Sequence, residues 1–178
     1  MTTLAVTGHM DLTDETVPLV RAALRDLLAK YSDDLTGVSC IAAGADSLFA
    51  EEVTAIGGRL VAVIPSEDYR ATKVKPAHAA VFDHLVETAG EVVTLPHATA
   101  NRAAYEAANA ELLRRADRLV AVWDGTPPSG KGGGTADTVG QARQAGLAVD
   151  VVWPTGAARR GREQTHEVRG REARTRGR

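Results

Sequence analysis

The sequence predicts an α/β fold, a single Rossmann-like three-layer domain on a mostly parallel, doubly wound sheet. Three observations predict it. Short apolar runs alternate with segments of helical period along the whole body, the rhythm of successive right-handed βαβ units. Polar and glycine-rich clusters follow the strand candidates at their carboxyl ends, where open parallel sheets bind ligands. The 178 residues are 44% apolar, enough for one well-buried domain and too few for two of ordinary size.

In chain order, strands are expected near Leu4 to Thr7, Val38 to Ala42, Leu60 to Ile64, Glu91 to Leu95, Leu119 to Trp123 and Ala148 to Trp153. Leu19, Leu24, Leu27 and Leu28 share one helical face after the first strand, and Leu48, Val53 and Ile56 share one after the second. Further helices fit Pro76 to Thr88, Thr99 to Arg115 and Thr135 to Ala145, with Gly37, Gly57, Gly90 and Gly146 as stop signals. The domain is expected over residues 1–154. Beyond Pro154 apolar periodicity ends and Arg and Gly dominate, so residues 155–178 read as a disordered tail.

The formal net charge of −2 hides an asymmetry: Ala157 to Arg178 holds eight Arg against three Glu, leaving 13 basic and 20 acidic residues before it. So acidic a body argues against nucleic acid as a partner. The single cysteine, Cys40, has no internal disulfide partner and reads as a small buried hydrophobe. No apolar run reaches the length of a membrane span and the N-terminus shows no signal core, so a cytoplasmic protein without a membrane partner is expected. His78, His84, His97 and His166 show no metal-ligand spacing, and no metal is expected.

The densest chemistry lies where the run Leu119 to Trp123 empties into Asp124-Gly125 and then Gly130-Lys131-Gly132-Gly133-Gly134-Thr135-Ala136-Asp137. A glycine loop that opens a helix offers bare N–H groups and the positive end of a helix dipole, a site for anions and above all phosphate. Gly125-x-x-x-x-Gly130-Lys131 copies a P-loop up to its last position. That position is Gly132, where Mg²⁺ needs Ser or Thr, and Pro127-Pro128 removes two N–H groups. The dinucleotide fingerprint G-x-G-x-x-G also fails, since Thr7-Gly8-His9-Met10 carries one glycine. Three more loops point to the same edge: Thr7-Gly8-His9, Gly44-Ala45-Asp46, and Pro65-Ser66-Glu67-Asp68-Tyr69.

Taken together, Thr7-Gly8-His9, Gly44-Ala45-Asp46-Ser47-Leu48, and Asp117 with Leu119 to Gly125 ahead of Gly133-Gly134-Thr135-Ala136-Asp137 resemble the SLOG superfamily, over about Leu4 to Val152. This Rossmann-like group includes the LOG phosphoribohydrolases, the DprA/Smf DNA-processing proteins and the YpsA-like proteins. The resemblance implies a pocket for a nucleotide or nucleotide-derived ligand, sensed or processed, with phosphate on the Gly132 to Thr135 turn and no cofactor. LOG enzymes cleave the N-glycosidic bond of nucleoside 5′-monophosphates. Their loop has the form Pro-Gly-Gly-x-Gly-Thr-x-x-Glu, and an Arg stands about nine residues before the acid that ends the preceding helix. Counting back from Asp117 gives Ala108, with Arg102 further upstream; the loop opens through Trp123-Asp124, and its acid is the shorter Asp137. These departures favour binding over hydrolysis; a LOG-like hydrolase and DprA-like single-strand binding stand as alternatives.

Residue roles follow. An oxocarbenium-like state calls for a carboxylate beside the ribose, with Asp137 first and Asp124 second as candidates, each otherwise a helix cap or loop residue. Lys131 is placed to neutralise phosphate or to stand solvated. Thr7 and His9 are placed to reach a sugar or base, Asp46 a ribose hydroxyl or its own helix N-terminus, and Pro65 and Ser66 the pocket wall or a simple turn. Arg102, Tyr105 and Asn109 share a helical face, Tyr105 either stacking on a base or packing. A homodimer through Ala103 to Leu113 is implied by LOG relatives.

Overall fold

The computed structural model describes residues 1–161. Its elements are β1 (Thr2–Gly8), α1 (Thr16–Ala29), a 3₁₀ turn (Ser32–Asp34), β2 (Leu35–Ser39), α2 (Ala45–Ala55), β3 (Arg59–Ile64), α3 (Tyr69–Thr72), α4 (Pro76–Thr88), β4 (Glu91–Thr94), α5 (Arg102–Arg115), β5 (Arg118–Val122), α6 (Thr135–Gln144) and β6 (Ala148–Val152). The six strands form one sheet in the order β4-β3-β2-β1-β5-β6, and every pairing is parallel. The α/β Rossmann-like fold expected from the sequence is the one observed.

Helices on both faces explain why the central strands read as continuous apolar runs. On one face α1 and α2 cover Leu4 and Val6 with Val20, Leu24, Leu28, Phe49 and Val53; on the other α5 and α6 cover Ala5, Val38 and Leu119 with Ala108, Leu112 and Val139. A third cluster joins Leu60, Ala62 and Ile64 to Tyr69, Phe82 and Leu85. The helix faces are close to those expected, although Leu19 faces outward and Val20 takes its place in the core. Buried Glu52 ties α2 to α1: it accepts hydrogen bonds from Arg21 (3.0 Å) and Arg25 (3.0 and 3.2 Å).

The second strand departs from expectation. It spans Leu35–Ser39, three residues earlier than the apolar run suggests, and Gly37 lies inside it, paired with Leu4 and Leu60, instead of stopping a helix. Glycine is required there by packing, since a Cβ would sit 2.6 Å from a methyl of Val53 and 3.0 Å from the Phe49 ring. The apolar residues after Ser39 form a turn instead. Fully buried Ile41 takes φ +48°, a strained value for a β-branched side chain. Three hydrogen bonds pin it: its N–H donates to Ser39 Oγ (3.0 Å), and its carbonyl accepts from Ser47 Oγ (3.2 Å) and His78 Nε2 (3.0 Å).

The body also extends past Pro154. Ala158 and Ala158-flanking backbone pair with the β1–α1 loop: Thr13 N–H donates to the Ala158 carbonyl (3.2 Å), Ala158 N–H to Thr16 Oγ1 (2.8 Å), and Arg160 N–H to the Asp11 carbonyl (2.7 Å). The physical reason is charge as well as backbone pairing, because Arg159 and Arg160 meet Asp11 and Asp14. The remainder of the expected tail, 162–178, lies outside the described residues.

Candidate functional site

In the chain's path, β1 to β4 step outward in one direction and β5 returns to the other side of β1, so the sheet order reverses between β1 and β5. Helices diverge at such a point and leave a crevice at the strand carboxyl ends. A cleft of about 590 Å³ occupies it here, within the usual range for small-molecule sites. Gly8 keeps it open at the end of β1: a Cβ there would lie 2.4 Å from that of Ala45 and 2.9 Å from that of Val122.

The glycine loop forms one wall. Gly130, Gly132 and Gly133 have φ of +83°, +73° and +72°, values that favour glycine. Asp137 Oδ2 accepts the Gly134 N–H (3.2 Å), and Thr138 Oγ1 donates to the Gly134 carbonyl (3.1 Å), so Asp137 acts first as the N-terminal cap of α6. The N–H groups of Gly133, Thr135 and Ala136 donate to no group among the described residues. From α5, Asn109 Nδ2 donates to the Gly133 carbonyl (3.2 Å), Tyr105 packs beside Gly133, and the Arg102 guanidinium lies against Gly132 while bonding Glu106 (2.7 Å). The shared face of Arg102, Tyr105 and Asn109 is therefore the buttress of the loop. The adjoining face of α5, with Ala104, Ala108 and Leu112 buried, turns toward the protein's own sheet, and Ala108 and Leu112 also line the cleft.

Asp124 does not itself line the cleft; it stands behind His9, Thr126 and Arg159, which do. Its Oδ1 accepts from the Thr126 N–H (2.9 Å), and Oδ2 faces Arg159 Nη1 (3.5 Å). Burial alone would raise this carboxyl, but hydrogen bonds from Thr126 and the neighbouring His9 outweigh burial and hold it well below the usual carboxylate range. A group so committed is an anchor for the loop, not an acid or base. Trp123 reinforces the anchor, its Nε1 donating to the Thr126 carbonyl (3.0 Å) with Arg143 over its ring.

His9, buried and edge-on to Trp153, has two neighbours at 3.1 Å from Nε2, the Asp124 N–H and Asp124 Oδ1. Burial and then the Arg159 charge lower its pKa, so the neutral ring is favoured. Nε2 accepts from that N–H or donates to that carboxylate oxygen, according to which ring nitrogen carries the proton.

A second wall carries Cys40, Asp46, Pro65, Tyr69 and Tyr105. Burial pushes Asp46 up to about 7 against the lowering effect of the Ala42 amide, and pushes the Cys40 thiol up as well. Ser66 does not line the cleft; it is buried in a turn in which its Oγ and the Ala100 N–H both donate to Asp68 Oδ1, each at 2.7 Å.

Of the residues singled out from sequence, Thr7, Gly8, His9, Asp46, Pro65, Tyr105, Asn109, Gly133, Gly134, Thr135 and Asp137 line this cleft. Gly44 lines an adjoining groove with Lys73, Lys75, His78 and Arg160, and Ala45 lies behind Gly8. Lys131 and Gly125 are exposed on the loop and Gly132 is its support, outside the lining. Sequence reasoning misses Asp11, Tyr69, Lys73 and Arg159. Tyr69 carries a signal, since it ends a strand-terminal cluster; Arg159 carries none, because it sits in an Arg-rich stretch. Among the described residues no cluster of three or more His, Cys, Asp or Glu could hold a metal ion, and no helix is long and apolar enough to cross a membrane.

A Rossmann-type α/β domain with its cleft at the reversal of strand order is the class that fold and site define. No protein-family model matches the chain, and no curated protein matches it. Solved structures do. DNA processing protein A (DprA) from Streptococcus pneumoniae aligns with TM-score 0.65 at 17% identity, over 88% of this chain and 52% of that one. The chain thus spans about half the length of that protein. DprA from Helicobacter pylori, solved for its single-stranded DNA binding mode, aligns with TM-score 0.64 at 15% identity, over 93% and 72%. The Moco carrier protein from Chlamydomonas reinhardtii aligns with TM-score 0.50 at 20% identity, over 85% and 75%. These likenesses establish the fold, and it is the fold that the SLOG resemblance implies. The expectation that excludes nucleic acid finds no support among neighbours that include a single-strand binder.

Proposed function

We propose that this chain is a SLOG-type domain that binds a nucleotide or nucleotide-derived ligand, its phosphate seated on the Gly132 to Thr135 turn. The observation that carries this reading is the set of N–H groups on Gly133, Thr135 and Ala136 at the head of α6 that no group among the described residues takes up, on residues that line the cleft. The base would lie toward Tyr69 and Tyr105, whose rings stand edge to face with centroids 6.5 Å apart. Binding is favoured over N-glycosidic hydrolysis because neither carboxylate candidate is idle: Asp124 anchors a loop and Asp137 caps a helix. A homodimer belongs to the same proposal, although the apolar face of α5 is already used within the protomer.

Thermal shift of the full chain against nucleoside mono-, di- and triphosphates, with ligand mass checked afterwards, tests the reading. Asp137→Asn separates its two forms. Removing a negative charge from the anion site is expected to strengthen phosphate binding severalfold and leave the ligand intact. Release of free base by the wild type, lost in Asp137→Asn, would establish the hydrolase instead. Tight, salt-sensitive binding of single-stranded DNA in preference to mononucleotides would transfer the site to nucleic acid.

A further inference from the structure

We infer that Arg159, from the segment after β6, belongs to the ligand site and, with His9, makes it select a sugar that carries its hydroxyl groups. The inference rests on the nucleotide-binding reading above and adds the recognition of the sugar.

Arg159 is not a loose surface arginine. Its backbone bridges to Leu12, and hydrogen bonds of its neighbours Ala158 and Arg160 fasten the segment to the β1–α1 loop. The side chain is four-fifths buried and lines the cleft. Nε donates to both oxygens of Asp11 (2.9 and 3.1 Å) and Nη1 approaches Asp124 (3.5 Å), whereas Nη2 donates to no group among the described residues. His9 adds a ring nitrogen: its Nε2 is engaged by Asp124, while its Nδ1 has no partner among the described residues. A guanidinium donor and a ring nitrogen that donates or accepts thus remain available at the end of β1, beside two carboxylates.

Charge decides what they fit. Two carboxylates against one guanidinium and a neutral imidazole leave this end of the cleft negative, which disfavours a second phosphate. An ammonium group would meet the Arg159 guanidinium. A hydroxyl group accepts from Arg159, donates to Asp11 and pairs with either form of the His9 ring, so a sugar's hydroxyls fit this end of the cleft without adding charge.

The test is titration calorimetry of the full chain with the common ribonucleoside 5′-monophosphates, their 2′-deoxy and 3′-deoxy counterparts, and inorganic phosphate, in wild type, Arg159→Lys and Arg159→Met. A site built to bond a hydroxyl rejects the analogue that lacks it, so the wild type is expected to lose about tenfold or more in affinity for at least one deoxy form. In Arg159→Met the ribonucleotide should weaken to the deoxy level while inorganic phosphate binds unchanged, and Arg159→Lys should keep part of the preference. Equal wild-type affinity for ribo and both deoxy forms overturns the inference, and needs no variant to fold. So does a preference that survives in Arg159→Met. If neither phosphate nor any nucleotide binds, the nucleotide reading itself has failed.

Discussion

A carboxyl group that no cation among the described residues pairs with lines the cleft. Asp46 faces Cys40 and Tyr69, and burial lifts it from an ordinary 3.8 to about 7. Between those values the folded chain keeps a proton that the unfolded chain has released. The stability this group contributes is therefore full below about pH 4 and is lost as pH rises through about 7. Asp46→Asn is expected to stabilise the fold at pH 8, by on the order of 3 kcal/mol, and to change little at pH 4. Urea unfolding at the two pH values measures it; equal effects at both would mean that Asp46 is not held proton-rich. Residue identity alone places Asp46 in the site, because an acid after Gly44-Ala45 at a helix start is visible in the sequence. Its missing counter-ion is not visible there, since that depends on what three other loops bring near.

Among the helices, α1 and α2 are joined through the buried Glu52. Burial would raise its pKa, but Arg25 and Arg21 outweigh that and lower it. Both arginines can rehydrate if it is removed, so Glu52→Gln is expected to cost about 2 kcal/mol at neutral pH, less than a fully buried pair would. The gap to wild type should narrow as pH falls below the usual glutamate value, where the unfolded chain takes up a proton that the folded carboxylate, held lower, resists. Denaturant midpoints at pH 7 and pH 3 check both statements. Most elements of this kind are legible from periodicity: α4 and the cores of all strands but β2 fall where apolar spacing puts them. β2 escapes because its glycine serves packing on Phe49 and Val53 while the apolar residues after it serve a turn. α3 escapes because four residues carry no period. The glycine loop is legible as a helix start, whereas its buttress of Arg102, Tyr105 and Asn109 is legible only as a shared face, not as what that face supports.

For the molecule as a whole, composition does not show that backbone and ion pairs continue past Pro154. Arginine density after Pro154 signals an unpacked tail, yet residues 157–160 close the cleft by pairing with acids supplied some 150 positions earlier, at Asp11 and Asp14. Sequence composition is blind to partners so distant. A chain ending at Pro154 is expected to melt several degrees below one ending at Gly161, which should match the full chain. Identical melting temperatures for all three would show that this segment adds nothing to the fold.

The position of β1 also governs the order in which the protein can be completed. β1 holds one neighbour, β2, from early in synthesis, but its other edge is covered only by β5, whose register joins Leu4 to Arg118 and Gly8 to Val122. Until that segment leaves the ribosome, the apolar edge Leu4-Ala5-Val6 is a template for whatever strand arrives first. Nascent chains stalled before residue 118 should therefore be the species that chaperones hold, and the last third of the chain is what covers the adhesive edge of the half-sheet.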